Sequence, residues 1–363
     1  MSSTWNNNIG FTVFGESHGP AIGVVMDNVP PGESIDLDKI YQFMARRAPK
    51  QNKTSTQRKE KDMPQIMSGY FNGKTTGTPL CALIANTDQH SQDYSNLSKL
   101  ARPGHADYTG ALRYRGFNDV RGGGHFSGRL TAPLCFAGAV AGQILEKRGI
   151  YVGAHIAEVH GIKDKAFDPI NITKDMIREV RDKEFPTIID VQGNEMIKEI
   201  DKARKEKDSV GGIIECIAIN VPAGIGSPIF DGLENPIAQI IFGIPAVKGL
   251  EFGAGFKVAE MTGSENNDEF YVNDKGHVVT KTNNHGGILG GIASGMPITL
   301  RVAFKPTPSI ARPQATVDYS AMKNETLEIK GRHDPCVVPR AVPCVEAAVN
   351  IALLNHMLEY PNF

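Results

Sequence analysis

The chain has 363 residues, 40% of them hydrophobic and 22% charged, a balance that suits a globular protein with a substantial core. Lys and Arg total 39 against 40 Asp and Glu, a net charge of -1, so no global field favours nucleic acid or an anionic membrane. Attraction of an anion has to come from a local cluster.

The first residues, MSSTWNNNIGFTVFGES, show no basic stretch followed by an apolar run, so no signal peptide is expected. Apolar stretches such as 132–145 are broken by Gly and Pro and too short to span a bilayer, which makes a cytoplasmic location the expectation. Cys81, Cys135, Cys216, Cys336 and Cys344 are odd in number and form no Cys-x-x-Cys pair. Free thiols in a reducing compartment are expected, with neither disulfides nor a metal site.

In chain order, a β-prone run at 11–14 ends in FGESHG (14–19), with Glu16, Ser17 and His18 between two glycines. Such a turn can project a serine and a histidine together into a cleft, as proton donor or phosphate ligand. The same pair cannot readily form nucleophile and base of a hydrolase, and no G-x-S-x-G elbow occurs. The bland alternative is a polar turn. Apolar runs at 21–26, 80–85, 213–219 and 298–304 predict strands. Residues 36–47 predict a helix capped by Asp36, with Leu37, Ile40, Phe43 and Met44 on one face. Further helices are expected at 132–147, rich in small residues, at 194–207, amphipathic and solvated, and at 343–359, apolar. Strands and helices do not alternate regularly and no G-x-G-x-x-G follows a first strand, so an α+β fold of antiparallel sheets enclosing helices is favoured over a doubly wound sheet. No internal repeat stands out.

Polar chemistry gathers in four further places. Residues 46–61 hold seven basic residues and one acidic, without the aromatics a nucleic-acid platform would need. They read as a loop closing on a phosphorylated small molecule, with a merely solvated loop as the rival. RPGHADYTG (102–110) precedes RGFNDVRGGGHFSGR (115–129), where Gly122, Gly123 and Gly124 let backbone amides approach an anion and Arg115, Arg121 and Arg129 add guanidinium donors. NNHGGILGGIASG (283–295) and KPTPS (305–309) again suit a phosphate-bearing ligand, and KGRHDPC (330–336) sets a His beside an Asp for acid–base work. Eight of the ten histidines lie within two residues of a glycine, which predicts exposed or cleft-lining positions.

Taken together, GESHG (15–19), TTGTP (75–79), RPGHADYTG, RGGG (121–124), DSVGG (208–212), VPAGIGSPIFDGLE (221–234), AVKGLEFGAGF (246–256), NHGGILGGIASG (284–295), KPTPS and KGRHDPC resemble the chorismate synthase family, in family order over nearly the whole chain. The resemblance implies a lyase that eliminates phosphate from 5-enolpyruvylshikimate 3-phosphate to give chorismate, with reduced FMN as cofactor. It also implies a β-α-β sandwich, a single large domain over 1–363, and a homotetramer.

Carried over by position, His18 resembles the histidine that protonates the leaving phosphate and His105 the one that stabilises the anionic reduced flavin. Asp334 resembles the acidic residue near flavin N5, and Ser17 and Ser127 the supporting hydroxyls. Arg47, Arg129 and Arg340, with Lys53, resemble the substrate-anion ligands. His125, Phe126, Ser127, Pro245, Ala246, Gly290, Lys305, Pro306, Thr307, Pro308, Ser309 and Arg332 stand at flavin-contacting positions. Some family members also reduce their flavin with NADPH, for which Arg47 and Lys53 would be contacts. The chain departs from the family pattern at Phe126, Leu130, Pro245 and Lys53, where a second serine, a Glu, an Asn and an Arg are frequent. A basic-loop RNA-binding protein, the reading from another class, leaves the His, Asp and triple-glycine segments unexplained.

Overall fold

The computed structural model describes residues 3–49, 62–87, 99–329 and 333–360. The first part comprises β1 (Thr4–Asn6), β2 (Gly10–Gly15), β3 (Ala21–Asp27), α1 (Leu37–Arg47), β4 (Pro64–Ser68), the hairpin β5 (Tyr70–Phe71) and β6 (Lys74–Thr75), and β7 (Leu80–Ala85). After α2 (Asp107–Arg113) and α3 (Thr131–Lys147) come β8 (Tyr151–Val159), β9 (Ile162–Lys163), α4 (Lys174–Arg181), α5 (Asp190–Lys205), β10 (Gly212–Ile219), α6 (Glu234–Phe242) and β11 (Val247–Phe252). The remainder holds α7 (Gly263–Asn266), the hairpins β12–β13 (Phe270–Val272, Val278–Thr280) and β14–β15 (Ile288–Leu289, Ile292–Ala293), β16 (Ile298–Phe304), the hairpin β17–β18 (Gln314–Asp318, Lys323–Leu327) and α8 (Val338–Glu359).

Two five-stranded antiparallel sheets, β1-β2-β3-β7-β4 and β11-β16-β10-β8-β9, enclose α3 and α8. On β7 the alternate residues Leu80, Ala82 and Ile84 are buried, as one inward face requires. In β10 burial is nearly continuous, because α8 covers one face while α4 and Phe167 pack near Ile217 and Ile219 on the other. One cluster of buried residues runs from Ile9 to Met357 and takes in both sheets. This is the α+β sandwich the sequence predicts.

Small residues in α3 set how closely the central helices meet. A Cβ on Gly138 would lie 2.2 Å from Cα of Ala347, and one on Gly142 would lie 2.7 Å from Nδ2 of Asn350. Cys135 and Cys344 approach to 3.7 Å between sulfurs. Contacts 135/344, 138/347 and 142/350 advance together along both helices, so α3 and α8 run parallel. Deep in this layer, Glu346 of α8 is 0% exposed yet charged. It receives two N–H groups of Arg46 at 2.6 and 2.7 Å and the amide of Ala154 at 3.0 Å, tying α1 and β8 to the central helix.

Three expectations need correction. The last helix begins at Val338 rather than 343, with Pro343 inside it. Pro339 near its start is pre-set for a first turn, and Pro343 costs one backbone hydrogen bond in the second turn of a closely packed helix. Arg46 and Arg47 belong to the last turn of α1 rather than to a loop; the basic residues at 50–61, Lys53 among them, lie outside the described residues. His155, expected in an open turn, is on β8 and 0% exposed. The helix α8 is also long and apolar enough by composition to cross a bilayer, but it is buried against α1, α3, α6, β8 and β10.

His155 is held by Asp164 at Nδ1 (3.1 Å) and Glu215 at Nε2 (2.7 Å). Burial opposes its protonation, but hydrogen bonds and charge from the two carboxylates outweigh burial and raise its pKa. A raised pKa means stability that is fully present below the unfolded value of about 6.5 and is lost as pH rises through the folded value. Replacing His155 by Gln should therefore lower the unfolding free energy by about 3–5 kcal/mol at pH 6, with a smaller deficit once wild-type His155 deprotonates. Urea denaturation at pH 6 and pH 9 measures this; a deficit independent of pH would contradict it.

Candidate active site

A cavity of about 550 Å³ opens where the end of α1, the 102–131 segment, the 242–248 turn, residues 305–309 and the start of α8 converge. Arg47, Arg102, Arg129, Lys248, Lys305 and Arg340 all line it. Asp62 bridges two of these cations: Oδ2 meets Nη1 of Arg47 at 2.6 Å and Oδ1 meets Nη1 of Arg129 at 2.5 Å. Burial alone would raise the Asp62 carboxyl, yet Arg47 and Arg129 hold it below the usual range. Arg47 also donates through Nε to Thr131 Oγ1 and through Nη2 to the carbonyl of Gly128. Arg340 donates to the Arg47 carbonyl through Nε and pairs with Asp334 at 2.6 Å. The three arginines named as substrate ligands are thus brought together at one end.

The second constellation is built on the 102–107 turn. Arg102 grips Asp107 through Nε and Nη2, both at 2.7 Å, and reaches Ser309 Oγ at 3.2 Å. Nδ1 of His105 lies 2.7 Å from Asp107 Oδ1, which orients the ring and leaves Nε2 toward Gly123. Burial would raise the Asp107 carboxyl, but hydrogen bonds from Arg102 and His105 hold it well below the usual range.

Between them lie Gly122, Gly123 and Gly124, with φ of 59°, 86° and 54°. A Cβ on Gly122 would sit 2.8 Å from Ser17 Oγ and 2.9 Å from His18 Cε1, and one on Gly123 3.0 Å from His105 Nε2. The glycines therefore let the GESHG turn and the RPGHAD turn meet across one backbone. Ser17 and His18 are both buried and stand behind Gly122. The hydroxyls of Ser17 and of cavity-lining Thr307 are buried with no partner among the described residues.

Other positions carried from the resemblance fall as follows. His125 lines the cavity, but its nitrogens engage the Gly15 carbonyl (2.8 Å) and Ser3 Oγ (2.6 Å). Phe126 packs against Gly110 of α2 and Tyr114, and Ser127 accepts from the Arg129 amide to open the turn before α3. Pro245, Ala246, Lys305, Thr307, Pro308 and Ser309 line the cavity, and Lys305 donates to the Gly104 carbonyl. Ala246 holds φ of 75°, a left-handed conformation rare outside glycine, and its carbonyl accepts from Lys305 N–H at 3.0 Å. Burial, then the neighbouring Lys248 charge, lowers the Lys305 pKa. Pro306 and Gly290 do not line this cavity, Gly290 being exposed on the β14–β15 hairpin. Arg332 lies outside the described residues, as Lys53 does. Of the three arginines expected around the glycines only Arg129 lines the cavity; Arg121 pairs with Asp119 at the surface and Arg115 is exposed.

Asp62, Arg102, Asp107 and Lys248 were not singled out from the sequence. Arg102 and Asp107 flank His105 within RPGHAD, and Asp62 closes the basic run, so an acid next to a cluster of cations was the available signal. Gly123→Ala should cost about 1–2 kcal/mol, because an L side chain at that φ is strained and its Cβ meets the His105 ring. Equilibrium unfolding in denaturant tests this, and a difference below a few tenths would remove the steric argument.

The family model for chorismate synthase matches residues 9–358. The chain is 47% identical over 349 residues to a chorismate synthase of Korarchaeum cryptofilum, covering 95% of this chain and 94% of that one. To a chorismate synthase of Pyrococcus abyssi it is 48% identical over 351 residues, 96% of each. A crystal structure of chorismate synthase matches with a TM-score of 0.75 at 28% identity, over 98% of this chain and 93% of that one.

Proposed function

The chain belongs to the chorismate synthase family, a family of lyases, and from that premise we propose that its cavity eliminates phosphate from 5-enolpyruvylshikimate 3-phosphate, giving chorismate, with reduced FMN as cofactor. The observation that carries this reading is electrostatic. Six Arg and Lys residues line the cavity, and among the described residues three carboxylates, Asp62, Asp107 and Asp334, pair with four of them. The surplus positive charge suits a substrate with one phosphate and two carboxylates.

The residues also fit a flavin: the Thr307 hydroxyl is buried on the cavity lining with no partner among the described residues. Gly122, His125, Phe126, Ser127, Pro245, Ala246, Lys305, Thr307, Pro308 and Ser309, which line the cavity, would hold it. When bound, reduced FMN supplies electron density that assists the loss of phosphate and receives the departing hydrogen. In this reading His18, with Ser17, protonates the leaving phosphate. His105, oriented by Asp107, balances the negative charge of the reduced ring from Nε2. Arg47, Arg129 and Arg340 would bind the substrate's anionic groups, while Asp334 and Ser127 would assist removal of the substrate's departing hydrogen.

His18→Ala and His105→Ala should fold and bind substrate, while turnover falls by roughly 10²- to 10⁴-fold, the usual worth of acid–base assistance. Anaerobic assays with chemically reduced FMN measure this. Near-normal turnover in His18→Ala would move the proton donor elsewhere.

The reading takes residues 1–363 as one working domain in the cytoplasm, supported by the continuous core and the five free cysteines. It includes a homotetramer, supported by Ile229 and Phe230, which are 76% and 85% exposed beside the β14–β15 hairpin. Light scattering should give the mass of four chains, and Phe230→Asp should lower it. A wild-type mass of one chain would refute the assembly.

A further inference from the structure

We infer that Asp62 is the positioning residue of the anion-binding end of the cavity, setting Arg47 and Arg129 side by side to receive the substrate's phosphate. The inference rests on the reading above and adds how two of its cations come to act together. Each Asp62 oxygen serves a different arginine, so the carboxylate fixes the spacing of two guanidiniums that would otherwise repel. The other nitrogens of these groups are also braced: Arg47 by Thr131 and Gly128, Arg129 by the Asn86 side chain and the Ala85 carbonyl. Both arginines nonetheless line the cavity, so the assembly borders the space that a ligand would enter.

A purely structural role explains this poorly. The Asp62 side chain is 0% exposed, and a buried ion pair adds little to stability compared with apolar packing of the same volume. Asp62 also holds φ of 48°, a strained backbone for a side-chain-bearing residue, next to the cavity. Among the described residues one carboxylate spans the two cations, in a geometry preset before the ligand arrives.

The left-handed backbone makes Asp62→Gly a suitable test, since glycine accepts that φ and leaves a hole the size of a carboxylate. In anaerobic assays with reduced FMN, Asp62→Gly and Asp62→Asn should each raise KM for 5-enolpyruvylshikimate 3-phosphate by at least about tenfold, with kcat changed far less. Formate should restore KM in Asp62→Gly by occupying the hole, and should leave Asp62→Asn, whose amide fills it, unchanged. Calorimetric binding of inorganic phosphate without flavin should weaken in parallel. If Asp62→Gly does not fold, the KM and phosphate arms on Asp62→Asn carry the same expectation. Unchanged KM in folded variants, or a raised KM in Asp62→Gly that formate leaves untouched, overturns the inference alone. Wild-type protein that binds neither phosphate nor the substrate overturns the proposed function, and this inference with it.

Discussion

The structure depends on the close parallel contact of α3 and α8. Because Gly138 lets Ala347 approach to backbone distance, the two helices share one register, and both begin at the same end of the sandwich. Thr131 at the start of α3 and Arg340 and Ala341 at the start of α8 therefore line one cavity. The positive ends of two helix dipoles add to the side-chain cations there. The end of α1 is brought to the same place by Arg46, whose ion pair with the buried Glu346 docks its last turn, and so its neighbour Arg47, on the central layer.

Charge at this site is arranged in tiers. Lined up alone, six cations around a cavity of this size would repel each other and lose much of their hydration. Asp62, Asp107 and Asp334 relieve that by pairing with arginines in fixed geometry, and the depressed pKa values of Asp62 and Asp107 express the same balance from the acid side. A carboxyl held below its usual range contributes stability above its unfolded pKa and loses it as pH falls through the folded one, so the cation array should hold together at neutral pH and loosen only in acid.

Left-handed backbone, found at many turns of the chain, also shapes this wall. Asp62, Ala246 and the three glycines 122–124 all have positive φ, and all are at or directly behind the cavity. The surrounding hydrogen bonds hold them there: Ser17 N–H to the Gly124 carbonyl, and Lys305 N–H to that of Ala246. Conformations this costly persist where a rigid scaffold fixes them, and they bring polar groups closer than relaxed backbone would allow.

Local chemistry is what the sequence determined by itself. The strands at 21–26, 80–85, 213–219 and 298–304, the Asp36 cap and the small-residue helix follow from periodicity and residue type, which need no distant partner. The glycine-flanked Ser17, His18 and His105 were legible for the same reason, and family resemblance named the cavity residues His125, Phe126, Ser127, Arg129, Lys305, Thr307, Pro308 and Ser309, along with Pro306, which does not line it. Pairing was decided only by tertiary structure. Arg47 and the neighbouring cations read as one basic loop, because Asp62 and Arg129, 67 positions apart, meet only when the chain folds back, and Arg46 finds Glu346 across 300. His155 read as an open-turn histidine until β10 placed Glu215 against it. Whether a charge faces solvent, a ligand or a buried partner depends on what the fold sets opposite it, and spacing along the chain carries no record of that.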